Sequence, residues 1–214
     1  MKRIDCFKAI SGSLTDELII TNLANTANEW RAVRNHEGNL YFVGMGMVTP
    51  YALGLSMALP NRKVIAFDGD GGILFDLSIL GTIAQTAPSN LCVVILDNEG
   101  YISTGKGKHT ASLSSGVIDI AGVARSSGIK NVYEVKNVDE FEIAVRGGVE
   151  DETGPTVIIA KINNEQAFVG TSLMDGKENK YRFVRYIEET ENKIILKPSA
   201  REHGEPPQPD PVFS

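Results

Sequence analysis

Five short apolar runs are spaced along the chain with helical patterns between them, and this alternation restricts the fold more than any other feature. The runs cover residues 18–21, 40–43, 64–67, 91–96 and 156–162. Each is continuous rather than alternating, as in a strand covered on both faces. The intervening stretches 49–58, 75–87, 117–127 and 138–149 have the length and patterning of helices. Strands and helices in this order predict an α/β protein of three layers, α/β/α, with a mainly parallel central sheet. Thr49 and Pro50 read as an N-cap followed by proline at the first helical position. Asp119, Ile120, Val123 and Ala124 read as one helical stripe, with Arg125 and Lys130 at the carboxyl end, where the helix dipole favours cations.

Beyond residue 162 the pattern decays, apart from an amphipathic segment at 179–189 and a short apolar run at 194–196. Five of the nine prolines stand at 198 or later. Such a tail cannot sustain a helix or build a core, so the expected organisation is one domain over residues 1–190 and an extended or disordered tail over 191–214. A formal charge of -6 gives no bulk attraction to nucleic acid or to an anionic membrane. No apolar run approaches the roughly 20 residues of a membrane span, and the start MKRIDCFKAISGS lacks a signal-peptide core, so a cytoplasmic location is expected. Cys6 and Cys92 form no CxxC pair and read as buried thiols. His36 and His203 read as solvated, and Trp30 as either core or subunit interface.

Two turns carry the chemistry. The run at 64–67 leads into Asp68-Gly69-Asp70-Gly71-Gly72, and the run at 91–96 into Asp97-Asn98-Glu99-Gly100-Tyr101. In an open α/β sheet ligands bind outside the carboxyl ends of strands, and glycines there let the backbone approach a phosphate. Asn98 follows Asp70 by 28 positions, about one strand-helix-strand crossover, so neighbouring strand ends can offer both side chains to one cation. A carboxylate, an amide oxygen and a backbone carbonyl suit magnesium, with water and ligand phosphates completing the octahedron. Taken singly, each turn is also an ordinary use of Asp, Asn and Gly. Upstream, Val43-Gly44-Met45-Gly46-Met47 suggests a dinucleotide fingerprint, but Thr49 occupies the place of the third glycine.

Together, Gly-Asp-Gly after a buried strand and Asn after the next one resemble the diphosphate-binding domain of thiamine-diphosphate enzymes. The resemblance implies thiamine diphosphate and Mg2+ as cofactors, with Asp70, Asn98 and the Gly100 carbonyl as metal ligands. It implies that Gly69, Gly71, Gly72, Tyr101, Ile102 and Ser103 surround the diphosphate. It also makes Met45 the apolar wedge that bends the cofactor, beside Gly44, and gives the Val43 carbonyl to the aminopyrimidine; simple core filling is the other reading of Met45. Two positions depart from the pattern: Asp97 stands where the doublet usually has its first Asn, and Gly72 where many relatives have a hydroxyl residue.

Members of this family also need a glutamate from a pyrimidine-binding domain, which this sequence does not offer. A partner (alpha) subunit supplying that Glu is therefore implied, in a hetero-oligomer such as α2β2 or larger. The wider pattern GMG…ALP…GDG…DN…GYISTG is most similar to beta subunits of sulfopyruvate decarboxylases and to the C-terminal part of phosphonopyruvate decarboxylases, over about residues 1–190. The implied activity is decarboxylation of a small-molecule 2-oxoacid, releasing carbon dioxide and an aldehyde. Thr104 replaces the Glu of pyruvate-decarboxylase-like relatives, which disfavours simple pyruvate. Carboligation, 2-oxoacid oxidation and a non-catalytic cofactor-binding subunit remain as alternatives. Lys106, Lys108 and His109 follow the cofactor turn and are candidate catalytic-loop cations for a second anionic group of the substrate; a solvated loop is the plainer reading.

Overall fold

A computed structural model describes residues 1–101, 110–171 and 174–196. Six parallel strands, β1 (Leu18–Asn22), β2 (Asn39–Val43), β3 (Val64–Gly69), β4 (Leu91–Asp97), β7 (Asn131–Val135) and β8 (Thr156–Lys161), form one sheet in the order β2-β1-β3-β4-β8-β7. A small antiparallel hairpin, β5 (Gly100–Tyr101) with β6 (Thr110–Ala111), stands apart from it. The helices are α1 (Arg3–Ser11), α2 (Asn25–Val33), α3 (Val48–Ala58), α4 (Asp70–Phe75), α5 (Ile79–Thr86), α6 (Ile120–Ser126), α7 (Val138–Glu150) and α8 (Gly176–Glu191).

Four of the continuous apolar runs are the central strands β1, β3, β4 and β8, each of which feeds two cores, and the run at 40–43 is the edge strand β2. Leu18, Ile20, Val64, Ala66, Val93 and Ile95 face α3, α5, α6 and α8. Ile19, Ile65, Phe67, Val94 and Ile158 face α1, α2 and α7 on the other side. There Phe7, Trp30 and Phe67 form a fully buried aromatic cluster with ring centroids 5.0 to 5.2 Å apart. Trp30 is thus core, and truncating it to alanine would remove about 3–5 kcal/mol. Cys6 and Cys92 are both buried, and burial pushes each thiol up to about 12. No helix among the described residues is long and apolar enough to cross a membrane.

The topology locates a ligand crevice. Strand β1 leads through α2 outward to β2, whereas β3 leads through α4 and α5 the other way to β4. The carboxyl ends of the neighbours β1 and β3 therefore diverge, which is the switch point where open α/β sheets bind ligands.

Several local expectations are corrected. Helix α3 begins at Val48 with Met47 at its N-cap, and Thr49 gives its hydroxyl to Asp68 Oδ2 at 2.8 Å, because that buried carboxylate needs the donor. The stretch 75–87 is not one helix: α4 starts at Asp70 itself and ends at Phe75, and α5 begins only at Ile79. Asp119 belongs to no apolar stripe; its carboxylate caps α6 by accepting from Gly122 N at 2.9 Å. His36 is half-buried rather than solvated, edge-on to Tyr186 with ring centroids 5.2 Å apart, and burial lowers its pKa. Strand β7 and helices α1 and α2 have no counterpart in the sequence reading. The edge strand β7 mixes Asn131, Tyr133 and Glu134 on a half-exposed surface, and α1 and α2 are only nine residues each. Helix α8 covers the other sheet edge, where the Asn179 side-chain amide accepts from Tyr41 N at 3.2 Å and donates to Tyr41 O at 2.7 Å, as a neighbouring strand would. His203 and most of the proline-rich tail lie outside the described residues.

Candidate functional site

A cleft of about 220 Å³ opens at the switch point. Its floor is the turn from β3 into α4, and its sides are the β1–α2 turn, Met45 and the turn after β4. Two helix N-termini reach it: Leu23, Ala24, Asn25 and Thr26 at the start of α2, and Asp70, Gly71 and Gly72 at the start of α4. Unpaired N–H groups and dipoles at such ends favour an anion.

The glycines of the floor are required by what packs on them. A Cβ on Gly71 would stand 2.3 Å from Tyr101 Cε1 and 3.1 Å from Met45 Cε. A Cβ on Gly72 would stand 2.1 Å from Asp68 Oδ1, which occupies the space of the side chain expected there. Asp68 is fully buried and fixed by Thr49 Oγ1, by Asn22 Nδ2 at 3.1 Å and by Gly69 N at 2.8 Å. Burial pushes its carboxyl up to about 6.

Three oxygens converge at one side of the floor. In one of the two orientations open to its amide, Asn98 donates its N–H to Asn164 Oδ1 at 2.7 Å, and its own Oδ1 then lies 3.0 Å from Asp70 Oδ1 and 3.1 Å from the Gly100 carbonyl. Adjacent oxygens of an octahedral magnesium site with bonds of about 2.1 Å are about 3.0 Å apart, so both spacings from Asn98 suit the ion. Among the described residues no three His, Cys, Asp or Glu cluster as a metal site; the fit comes from an amide and a peptide oxygen beside one carboxylate.

Asp70 is held from behind. The β5–β6 hairpin returns the chain so that Ser112 Oγ donates to Asp70 Oδ2 and Ser114 Oγ lies 3.1 Å from the same oxygen. Ser114 Oγ also lies 2.8 Å from Asp97 Oδ1, and Lys161 Nζ donates to Asp97 Oδ2 at 2.6 Å from the facing position on β8. This explains the aspartate in place of the usual Asn: Asp97 is the buried counter-ion of Lys161. Burial raises the Asp70 pKa; the Ser112 hydroxyl opposes that shift and the nearby Asp97 carboxylate adds to it.

Of the residues singled out in the sequence, Met45, Gly69, Asp70, Gly71, Gly72, Asn98, Gly100 and Tyr101 meet around this cleft. Val43 and Gly44 do not line it; they border a larger apolar groove between α3 and α8. The turn at Val43 is shaped by a bulge, with Phe42 at φ 57 and two β2 residues opposite the single Thr21. Ile102, Ser103, Lys106, Lys108 and His109 lie outside the described residues. The sequence reading missed the β1–α2 turn, Arg3, Ser112, Ser114, Lys161 and Asn164. Arg3 reaches the cleft from α1, held by the buried Glu29 through bonds of 2.8 and 3.1 Å.

Comparison with known proteins agrees with this geometry. Residues 21–160 match the family model described as the thiamine pyrophosphate enzyme, C-terminal TPP binding domain. The sulfopyruvate decarboxylase subunit beta of Methanothermobacter thermautotrophicus is 34% identical over 188 residues, covering 87% of this chain and 96% of that protein. The phosphonopyruvate decarboxylase of Streptomyces hygroscopicus is 33% identical over 141 residues, 65% of this chain but 34% of the longer relative. A putative thiamin diphosphate-dependent enzyme from Mycobacterium smegmatis superposes with a TM-score of 0.64 at 20% identity, covering 76% of this chain and 32% of that one, and shares the fold. With the matched segment taking in most of the sheet, both glycine turns and the converging oxygens, this chain belongs to the thiamine pyrophosphate enzymes and carries their C-terminal TPP-binding domain.

Proposed function

We propose that this chain is the cofactor-binding subunit of a two-subunit 2-oxoacid decarboxylase that acts on sulfopyruvate or phosphonopyruvate and releases carbon dioxide and an aldehyde. The observation that carries the reading is the convergence of Asp70, Asn98 and Gly100 oxygens beside a glycine floor at the switch point. The similarity to sulfopyruvate decarboxylase beta subunits over nearly their whole length supports it. Asp70, Asn98 and the Gly100 carbonyl would hold Mg2+, and Gly71 and Gly72 would admit the diphosphate against the start of α4. Bound there, thiamine diphosphate would supply the electron sink for the bonding pair left on the former keto carbon as carbon dioxide departs. The chain's own part is to fix the anionic end of the cofactor, to exclude water through Met45 and Tyr101, and to keep Asp70 aimed by the two serine hydroxyls.

A pyrimidine-binding partner subunit contributing a glutamate would complete the site. Exposed Leu23, Phe75 and Leu113, on segments that build or flank the cleft, are apolar surface for such a partner to cover. Lys106, Lys108 and His109 are proposed to meet the substrate's sulfonate or phosphonate. The test is carbon dioxide release, set against reduction of an acceptor dye, for the chain with its partner subunit and alone. Release from sulfopyruvate or phosphonopyruvate only when the partner is present supports the reading. Robust release by the single chain, or dye reduction in its place, contradicts it. Neutralising Lys106 and Lys108 in the complex is expected to lower kcat/KM for the dianionic substrate far more than for pyruvate.

A further inference from the structure

The amide oxygen of Asn98 faces two other oxygens and no donor, and this arrangement can be satisfied in two mutually exclusive ways. We propose that Asn164, on the segment after β8, is a positioning residue that turns Asn98 toward the cation, the two side-chain amides reversing as a pair. The inference rests on the cofactor reading above. In the metal-ready arrangement Asn98 donates to Asn164 Oδ1 at 2.7 Å, leaving its oxygen directed at Asp70 Oδ1 and Gly100 O. The Asn98 oxygen then lies about 3 Å from each of the other two, and oxygens so placed repel it unless a cation lies among them. In the reversed arrangement the Asn98 NH2 donates to those same two oxygens at 3.0 and 3.1 Å. Asn164 must then reverse as well, because the atom 2.7 Å away is now the Asn98 oxygen and needs a donor. A cation and the Asn98-to-Asp70 hydrogen bond therefore compete for one position.

The remaining ligands have no such freedom. Asp70 Oδ2 is held by Ser112 and Ser114, and the Gly100 carbonyl belongs to the β5–β6 hairpin. Asn98 is thus the adjustable ligand, and Asn164 biases it. Asn164 is itself placed by its neighbours, since Asn163 N donates to Met1 O at 2.8 Å and Glu165 pairs with Lys2 at 2.7 Å. Outer partners that orient metal ligands commonly change metal affinity about 10- to 100-fold when removed.

The experiment is a Mn2+ titration followed by electron paramagnetic resonance, with saturating thiamine diphosphate, on the wild type, Asn164→Asp and Asn164→Leu. Aspartate keeps the acceptor and cannot reverse into a donor; leucine removes both. Asn164 is exposed, so neither variant disturbs the core, and equal Tm values would verify this. Asn164→Leu is expected to weaken Mn2+ binding at least about 10-fold, while Asn164→Asp binds at wild-type affinity or better. In the wild type, the Asn98 side-chain amide should change its 15N NMR position when metal binds. Wild-type affinity in Asn164→Leu, or an equal loss in Asn164→Asp, overturns the proposal. An Asp70→Ala protein that binds Mn2+ normally would instead overturn the cofactor reading beneath it.

Discussion

Replacing Gly72 with alanine should destabilise the protein although it places a better helix former in α4. The added Cβ would stand 2.1 Å from Asp68 Oδ1, a distance no side chain tolerates, so the carboxylate must move. Asp68 is fully buried, and Oδ1 accepts from Asn22 Nδ2 and Gly69 N. Hydrogen bonds to a charged group contribute about 1.5–3 kcal/mol each, so displacing Oδ1 costs about 3–6 kcal/mol. The gain in helix propensity returns only about 1 kcal/mol. Urea denaturation should therefore show a net loss of about 2–5 kcal/mol, a midpoint lowered by about 1 M or more at unchanged slope. Gly147→Ala in α7 is the matched control, since its Cβ meets nothing within 4 Å, and it should gain about 0.5–1 kcal/mol. In an Asp68→Ala background the Gly72→Ala penalty should largely vanish. A Gly72→Ala protein as stable as wild type would refute the claim that Asp68 fixes this glycine.

Ala24 sits at φ 59 and ψ -127, a backbone region suited to glycine, and strain of this kind amounts to about 1–3 kcal/mol. Ala24→Gly should raise Tm, and a lowered Tm would show that no strain is stored there. With both thiols pushed up to about 12, almost none of either cysteine is thiolate at pH 8. The native protein should ignore an aromatic disulfide reagent that labels two thiols once urea unfolds it, and reaction of either Cys6 or Cys92 in the folded state would contradict their burial.

Four of the five apolar runs were legible as strands because strands buried on both faces leave no polar alternation to confuse the pattern; the fifth is the half-buried edge strand β2. The two glycine turns were legible because close backbone approach leaves glycine as its mark. What stayed hidden shares a physical reason. The β1–α2 turn carries no such mark, since Ala24 occupies a glycine conformation at the cost of strain. Ser112 and Asn164 act across 42 and 66 positions of sequence, and nothing local distinguishes a serine that clamps a carboxylate from one in an ordinary loop. Thr49 looked like a helix cap because its sequence neighbours suit one; tertiary demand from Asp68 claimed its hydroxyl instead. The two departures from the family pattern, Gly72 and Asp97, became intelligible only once their partners Asp68 and Lys161 were seen.

The central claim is that Asp70 anchors a magnesium-dependent cofactor site at the end of β3. Its most direct test is the affinity for thiamine diphosphate, measured by calorimetry with Mg2+ and with chelator, in the wild type and Asp70→Ala. The account predicts that the wild type binds the cofactor only with Mg2+, and that Asp70→Ala loses this magnesium-dependent binding because it removes the charged ligand of the ion. Cofactor affinity in Asp70→Ala equal to that of the wild type would contradict it.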